Sequence, residues 1–313
     1  MNKVIFMGTP EFSVPILQAL IEDETIEVIG VVSQPDRKVG RKQVLTPPPV
    51  KQLATAHDIP VFQPEKLSGS EEMQKLIEME ADLIVTAAYG QFVPTKLLNA
   101  PKHRAVNVHA SLLPKYRGAA PIHYAVLNGD EKTGVTIMYM EKVMDAGDII
   151  SQREIPITDE DDTGKLFEKL SLLGRDLLMD TLPSIFAGEN ESIKQNEEQV
   201  TFSPMISREQ EQIDWTKTAR QIFNHIRALR PAPGAYTLLD GERFKIWDSV
   251  EADVTTTKAP GTIHAIDKND LHVACGDGTV LSLKEVQPAG KKRLIVENYL
   301  AGTDLEEGDQ FGE

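Results

Sequence analysis

Apolar and polar positions in roughly the first half of the chain alternate between two textures. Short, largely apolar β-rich runs at residues 4–7, 28–32, 61–62, 82–87 and 106–109 read as strands. Between them, apolar residues recur every three or four positions. Val14, Leu17, Leu20 and Ile21 follow Ser13 at helical spacing, so Ser13 reads as an N-cap. Residues 54–58 end a second helix and 71–79 form a third. Strands that are apolar throughout have both faces covered, and strand–helix alternation favours parallel pairing. The expectation is α/β: a mostly parallel sheet whose ligands bind beyond the carboxyl ends of its strands. Residues 133–140 alternate strictly and add a strand. Leu166, Phe167, Leu170, Leu173 and Leu177 then mark one face of a long helix, which Pro183 should kink or end before Gly188.

Past residue 188 the pattern breaks. Residues 189–199 are polar and carry no apolar period, so a catalytic-side domain is expected over 1–188, a linker over 189–208 and a second domain over 209–313. Ile222, Phe223, Ile226 and Leu229 mark one helix there. After Pro231 the chain turns β-rich. Asp240-Gly241 and Asp277-Gly278 each sit between apolar runs and read as hairpin turns, which together suggest a small barrel.

Composition changes this picture little: 41% hydrophobic and 26% charged residues are ordinary for a globular chain with a real core. Cys275 is the only cysteine, so neither an intrachain disulfide nor a Cys-rich zinc site is available. The apolar run at 4–7 is too short for a signal segment, and no run approaches the roughly 20 residues of a membrane span. A cytoplasmic protein with no membrane association is expected. Charge matters more. The net charge of −15 opposes nonspecific nucleic-acid binding, and neither half escapes it. Residues 209–313 hold 12 Lys+Arg against 18 Asp+Glu, and residues 1–208 hold 21 against 30.

Candidate chemistry gathers at Asn107-Val108-His109-Ala110-Ser111-Leu112-Leu113-Pro114. Strand parity puts Asn107 and His109 on one face at the carboxyl end of a buried strand. Polar groups there are costly unless paired or used, and the residues alone leave both a structural pair and a working pair open. Met144-Asp145-Ala146-Gly147 follows the next strand. Alone, Asp145 reads first as a turn former, yet a carboxylate beside a histidine can orient it. Gly8-Thr9-Pro10 lacks the glycine pattern of a dinucleotide fingerprint, and no Gly-x-Ser-x-Gly elbow, phosphate loop or His-Glu-x-x-His is present. No metal is expected. Arg37, Lys38, Arg41 and Lys42 place four bases in six residues beside Gly40, an anion-binding loop or a solvated one. Lys291-Lys292-Arg293 is a second basic cluster open to the same two readings.

Asn107-x-His109-x-Ser111-Leu112-Leu113-Pro114, Tyr116-Arg117-Gly118 and Asp145-x-Gly147 together resemble the formyltetrahydrofolate-dependent formyltransferases. Phe6-Met7-Gly8-Thr9-Pro10-Glu11-Phe12 and Gln34-Pro35-Asp36-Arg37 narrow the likeness to members that formylate methionyl-tRNA. It extends to Arg230-Pro231-Ala232-Pro233-Gly234-Ala235-Tyr236, where many relatives carry Trp at the position of Ala232. The resemblance implies a Rossmann-like first domain and an OB-fold-like β-barrel after it. It implies catalytic roles for Asn107, His109 and Asp145, and 10-formyltetrahydrofolate as co-substrate at a site including Ser111, Leu112, Leu113 and Pro114. It also implies initiator methionyl-tRNA as the partner, with Arg41 in a loop that reaches the acceptor end. Lys42, Lys291, Lys292 and Arg293 are the further candidates for tRNA contact, and Arg220, Arg227 and Arg230 join them from the helix before the barrel. The chain is expected to act as a monomer. Two other readings compete. A formyltransferase for a small amine would not need the basic 37–42 loop, and a nonenzymatic binding module would not need Asn107, His109 and Asp145 together.

Overall fold

The computed structural model describes residues 1–312. The chain forms two compact units that interleave in sequence. One comprises Met1–Pro121, Lys132–Pro156 and Phe167–Ser203; the other comprises Ile122–Glu131, Ile157–Leu166 and the chain from Pro204 on.

In the first unit the strands are β1 (Asn2–Gly8), β2 (Ile26–Val32), β3 (Arg37–Val39), β4 (Val44–Thr46), β5 (Val61–Phe62), β6 (Leu83–Ala87), β7 (Ala105–His109), β8 (Lys132–Tyr139) and β9 (Ile149–Pro156). Seven of them form one sheet in the order β5-β2-β1-β6-β7-β8-β9. The first five in that order run parallel, while β8 and β9 run antiparallel to their neighbours. Val4, Ile5, Phe6 and Met7 of β1 are all buried, so the continuous apolar run does reflect a strand covered on both faces. Each such burial contributes on the order of 1.5–3 kcal/mol. Helices α1 (Val14–Glu22), α2 (Pro49–Ala56), α3 (Glu71–Glu78) and α4 (Thr95–Leu98) connect the strands. Helix α5 (Pro121–Leu127) belongs to the second unit from Ile122 on, and α6 (Thr163–Ala187) belongs to the first from Phe167 on.

Local expectations differ from the structure at four places. Ser13 occupies the N-cap position of α1 but makes no cap bond. Its backbone is already helical, and its hydroxyl instead donates to the Ala87 carbonyl at 2.6 Å, tying α1 to the end of β6. Pro183 does not end helix α6, which continues to Ala187 with Leu178, Leu182 and Ile185 buried on both sides of the proline. Phe167, on the apolar face of that helix by spacing, is 37% exposed. The basic 37–42 segment is not irregular: β3 and β4 pair as a hairpin, turned by Gly40 and Gln43 in the left-handed region.

The second unit carries α7 (Ala219–Ala228), started by a full capping box between Thr218 and Gln221. Its strands are β10 (Tyr236–Leu239), β11 (Glu242–Ala252), β12 (Ile263–Ile266), β13 (Leu271–Ala274), β14 (Val280–Pro288) and β15 (Leu294–Ile295), followed by α8 (Val296–Leu300). They form an antiparallel half-barrel in the order β10-β11-β14-β13-β12, with β15 on β14. Asp240 and Gly241 both have positive φ, as the tight turn between β10 and β11 requires. Phe244, Ile246, Val273, Leu281, Leu283 and Phe311 build the core. Among the described residues no helix is long and apolar enough to cross a membrane.

Candidate active site

Asn107 and His109 stand on one side of β7, paired across to Met138 and Thr136 of β8. The Thr86 hydroxyl, buried in β6, donates to Asn107 Oδ1 at 2.7 Å. That fixes the carboxamide and turns its two N–H groups away from β6, toward the half-buried side of Asn107. His109 is buried, and its Nε2 lies 2.9 Å from the Tyr116 carbonyl. A carbonyl only accepts, so Nε2 carries a proton and donates it there. Nδ1 is therefore the one ring nitrogen that can face a substrate. It lies 3.7 Å from Asp145 Oδ2, with the two side chains only 6% and 12% exposed. At such low exposure the pair is weakly screened by solvent.

Asp145 is held by two loops. Its Oδ2 accepts from the Gly118 backbone N–H at 2.8 Å, and its own backbone sits at φ 54°. The glycine of Asp145-x-Gly147 has a steric cause: a Cβ at Gly147 would fall 1.8 Å from the Tyr139 carbonyl oxygen. Gly118 has φ 123°, and a Cβ there would fall 2.8 Å from the Ser203 carbonyl oxygen. Gly118→Ala is therefore expected to cost about 1–3 kcal/mol of stability and to lower turnover, because the same residue supplies the N–H that anchors Asp145. Denaturant titration and initial rates of the variant check both effects.

Ser111, Leu112, Leu113 and Pro114 form the turn directly after β7. Their side chains serve that turn. The Ser111 hydroxyl donates to the Lys115 carbonyl at 2.6 Å, Leu113 is buried, and Leu112 lies over Gly134 of β8. The Leu113 carbonyl accepts from Gln152 Nε2 at 2.8 Å, and Thr136 Oγ1 both donates to the Ser111 carbonyl and accepts from Leu113 N. Only Leu112 and Pro114 of the four are half-exposed. Any ligand at this turn would meet those two side chains and backbone.

The basic candidates divide sharply. Arg41 and Lys42 are exposed at the tip of the β3–β4 hairpin, which also displays Val39, Val44 and Leu45. In the second unit Lys291 and Lys292 are exposed, while Arg293 pairs with Glu285 and lies over the Trp247 ring at 4.7 Å. The three arginines around α7 are each engaged by partners of their own unit. Arg227 is buried and donates to Asn224 and to the Thr158 and Asp161 carbonyls. Arg230 is bound between Asp162 and Asp248, and Arg220 between Asp159 and Glu251. Arg227 is spent on buried acceptors, while Arg220 and Arg230 are ion-paired nearer the surface.

Thr86, Gln195 and Glu197 contribute to the site with at most a weak signal of their own in the sequence, and Arg117 stands in a motif that gives it no role. Thr86 is a lone hydroxyl in an otherwise apolar strand, a weak signal that is now explained by Asn107. Arg117 is buried, donating from Nε to Gln195 Oε1 at 3.0 Å and pairing with Glu197 at 2.9 Å. Its guanidinium holds the exposed Glu197 carboxyl below the usual carboxylate range through that hydrogen bond. Gln195 and Glu197 lie in the polar stretch 189–199. It is mostly exposed, but Asn190, Gln195 and Glu197 spend their side chains on hydrogen bonds to remote residues.

Comparison with known proteins gives a consistent result. Residues 1–182 match the formyl transferase family and residues 205–304 match the formyl transferase C-terminal domain. A methionyl-tRNA formyltransferase of Pediococcus pentosaceus is 57% identical over 313 residues, 99% of this chain and 98% of that one. One from Listeria monocytogenes is 58% identical over 315 residues, covering all of both. Among solved structures, an N-formyltransferase from Helicobacter canadensis in complex with folinic acid and dTDP-3-aminofucose superposes with a TM-score of 0.70 at 20% identity. It covers 92% of this chain and 100% of its own. A sugar 3N-formyltransferase, WlaRD, gives 0.68, also at 20% identity, over 93% of this chain and 99% of its own. At that identity the two structures share the fold.

Proposed function

The chain belongs to the formyl transferase family, and on that premise we propose that it moves the formyl group of 10-formyltetrahydrofolate onto the α-amine of initiator methionyl-tRNA. The product is N-formylmethionyl-tRNA, the form used at translation initiation, and we assign the reaction to the cytoplasm. The observation that carries this reading is the 57–58% identity, over essentially the whole chain, to relatives named for that reaction. The sugar formyltransferases share the architecture at only 20% identity.

The site's own groups fit the chemistry. An α-amine has a pKa near ~7.7–8.0 in peptides, and an adjacent ester lowers it, so much of it is already a nucleophile at neutral pH. No covalent enzyme intermediate is needed. As the amine nitrogen bonds to the formyl carbon, negative charge develops on the formyl oxygen. The Asn107 Nδ2 hydrogens, set outward by Thr86, are donors available to that oxygen, and His109 Nδ1 joins them when the ring carries a second proton, a form that the facing Asp145 carboxylate favours. Asp145 keeps His109 oriented and accepts the proton lost by the amine, directly or through water. The carbon–nitrogen bond to the folate then breaks, and the folate nitrogen leaves with a proton as tetrahydrofolate. Leu112 and Pro114, the half-exposed members of the turn after β7, supply its apolar contact.

Offering 10-formyltetrahydrofolate with Met-tRNA, or with amino-sugar nucleotides and other small amines, tests the reading. Formylated Met-tRNA alone is expected. Formylation of the small amines in its place would overturn the choice of acceptor.

The hairpin supplies a separate expectation. Arg41 is exposed at its tip, where a phosphate can reach it. Arg41→Ala is expected to raise KM for Met-tRNA several-fold and leave KM for the folate unchanged. The slope of log(kcat/KM) against log salt should become shallower by about 0.9, the share of one duplex phosphate contact. Initial rates at several salt concentrations measure both quantities.

A further inference from the structure

We propose that Gln195 is a positioning residue for formyl transfer: its carboxamide locks the Arg117–Gly118 turn to the Asp145–Gly147 loop, and so aims Asp145 at His109. The inference rests on the roles given above to His109 and Asp145. It adds a residue that lies 50 positions beyond Asp145, in a stretch whose composition resembles a linker.

Gln195 is 4% exposed, and every polar position of its side chain is used. Nε2 donates to the Asp145 carbonyl at 2.7 Å and to the Gly147 carbonyl at 2.8 Å. Oε1 accepts from Arg117 Nε at 3.0 Å. The contacts close a circuit. From the Asp145 carboxylate it passes to the Gly118 N–H, through the adjoining peptide to Arg117, across the guanidinium to Gln195, and back to the Asp145 main chain. One residue thus fixes both the backbone and, through the turn, the carboxylate of Asp145.

Asp145 needs such a hold. Its φ of 54° is in the left-handed region, which a residue with a side chain occupies stably when its surroundings impose it. The opposite side of the circuit is anchored too. Arg117 N donates to the Thr201 carbonyl at 2.9 Å, and Ser203 N donates to the Arg117 carbonyl at 2.8 Å. The 195–203 segment therefore grips the turn on one side and the loop on the other. A carboxamide is the group that fits, since two carbonyls require two N–H donors while the guanidinium requires an acceptor. Glutamate would keep the acceptor and lose both donors. Methionine would keep the length and lose all three bonds.

The test is a double-mutant cycle on the full-length enzyme with 10-formyltetrahydrofolate and Met-tRNA. Gln195→Met and Gln195→Glu are each expected to lower kcat by about 10²-fold, the scale of a small misplacement of a reacting group. KM for both substrates should stay within about twofold of the parent. In an Asp145→Asn background the same substitutions should lower kcat by less than about threefold, since their effect acts through Asp145. An equal fall in both backgrounds, a loss carried mainly by KM, or unchanged kcat would overturn the inference. So would failure of both variants to fold by circular dichroism, because Gln195 would then be a general support of the fold. The parent enzyme separates the two claims. If it does not formylate Met-tRNA, the proposed function fails; if it does and the cycle is additive, only the role of Gln195 fails.

Discussion

His109→Ala is expected to lower kcat by about 10²–10³-fold, the usual cost of removing one preorganised donor from a developing oxyanion. The structure argues for an effect at least that large. His109 is buried, its Nε2 is committed to the Tyr116 carbonyl, and Nδ1 is the sole ring nitrogen left to act on a substrate. Removing the ring also leaves the Asp145 carboxylate without the partner it faces at 3.7 Å. Asn107→Ala and Asp145→Asn should each fall in the same range, and the combined variants should lose far less than the product of the single losses, because the three act as a unit. Folate affinity should change little, since the turn that follows β7 keeps its own hydrogen bonds to Thr136 and Gln152. Single-turnover rates with saturating substrates, set beside folate binding by fluorescence, measure both quantities. A His109→Ala enzyme with near-normal turnover would refute the assignment.

The second large effect is on stability. Arg227→Ala is expected to destabilise the protein by about 3–5 kcal/mol, a substantial fraction of the ~5–15 kcal/mol by which native domains are stable. Arg227 is 4% exposed and makes four hydrogen bonds: two to Asn224 Oδ1 at 3.0 and 2.9 Å, one to the Thr158 carbonyl at 2.7 Å and one to the Asp161 carbonyl at 3.1 Å. Truncation strands those acceptors in a buried setting and opens a cavity beside Phe223. Arg227→Lys should recover only part of the loss, because one ammonium cannot span acceptors that a planar guanidinium reaches from three nitrogens. Lys292→Ala, at an exposed position, serves as the control and should shift stability by less than about 0.5 kcal/mol. Urea unfolding midpoints decide it. Were Arg227 a phosphate contact instead, its removal would leave the midpoint alone and weaken tRNA binding in a salt-dependent way.

Much of the framework was legible along the chain because its signals are local. Apolar runs marked β1, β2 and β6, since a strand covered on both faces carries few polar positions, and the Val-Asn-Val-His alternation marked β7. Asp240-Gly241 gave the β10–β11 turn, since few residue pairs accept positive φ twice in succession. Strand parity alone put Asn107 and His109 on one face. Strand β9 was not legible. It is a half-buried edge strand carrying Gln152, Arg153 and Glu154, and its pairing with β8 is a long-range fact that leaves only a weak trace in its own sequence. The helical course of α6 through Pro183 was not legible either; the helix continues with Leu178, Leu182 and Ile185 buried on both sides of the proline.

The sequence by itself determined the α/β character of the first unit, the β-rich character of the second, and the residue types available for formyl transfer. Periodicity, turn chemistry and motif spacing are properties of neighbours in the chain. The tertiary structure decided which polar groups are free to act and which are spent. It committed His109 Nε2 to Tyr116, turned the Asn107 amide outward from Thr86, buried Arg227, and recruited Gln195 from a stretch that reads as linker. It also drew 122–131 and 157–166 into the second unit, across a sequence boundary that composition places near residue 188. The physical reason is common to all of these. A polar side chain's role is fixed by the donors and acceptors that folding brings within about 3 Å of it, and those come from remote parts of the chain.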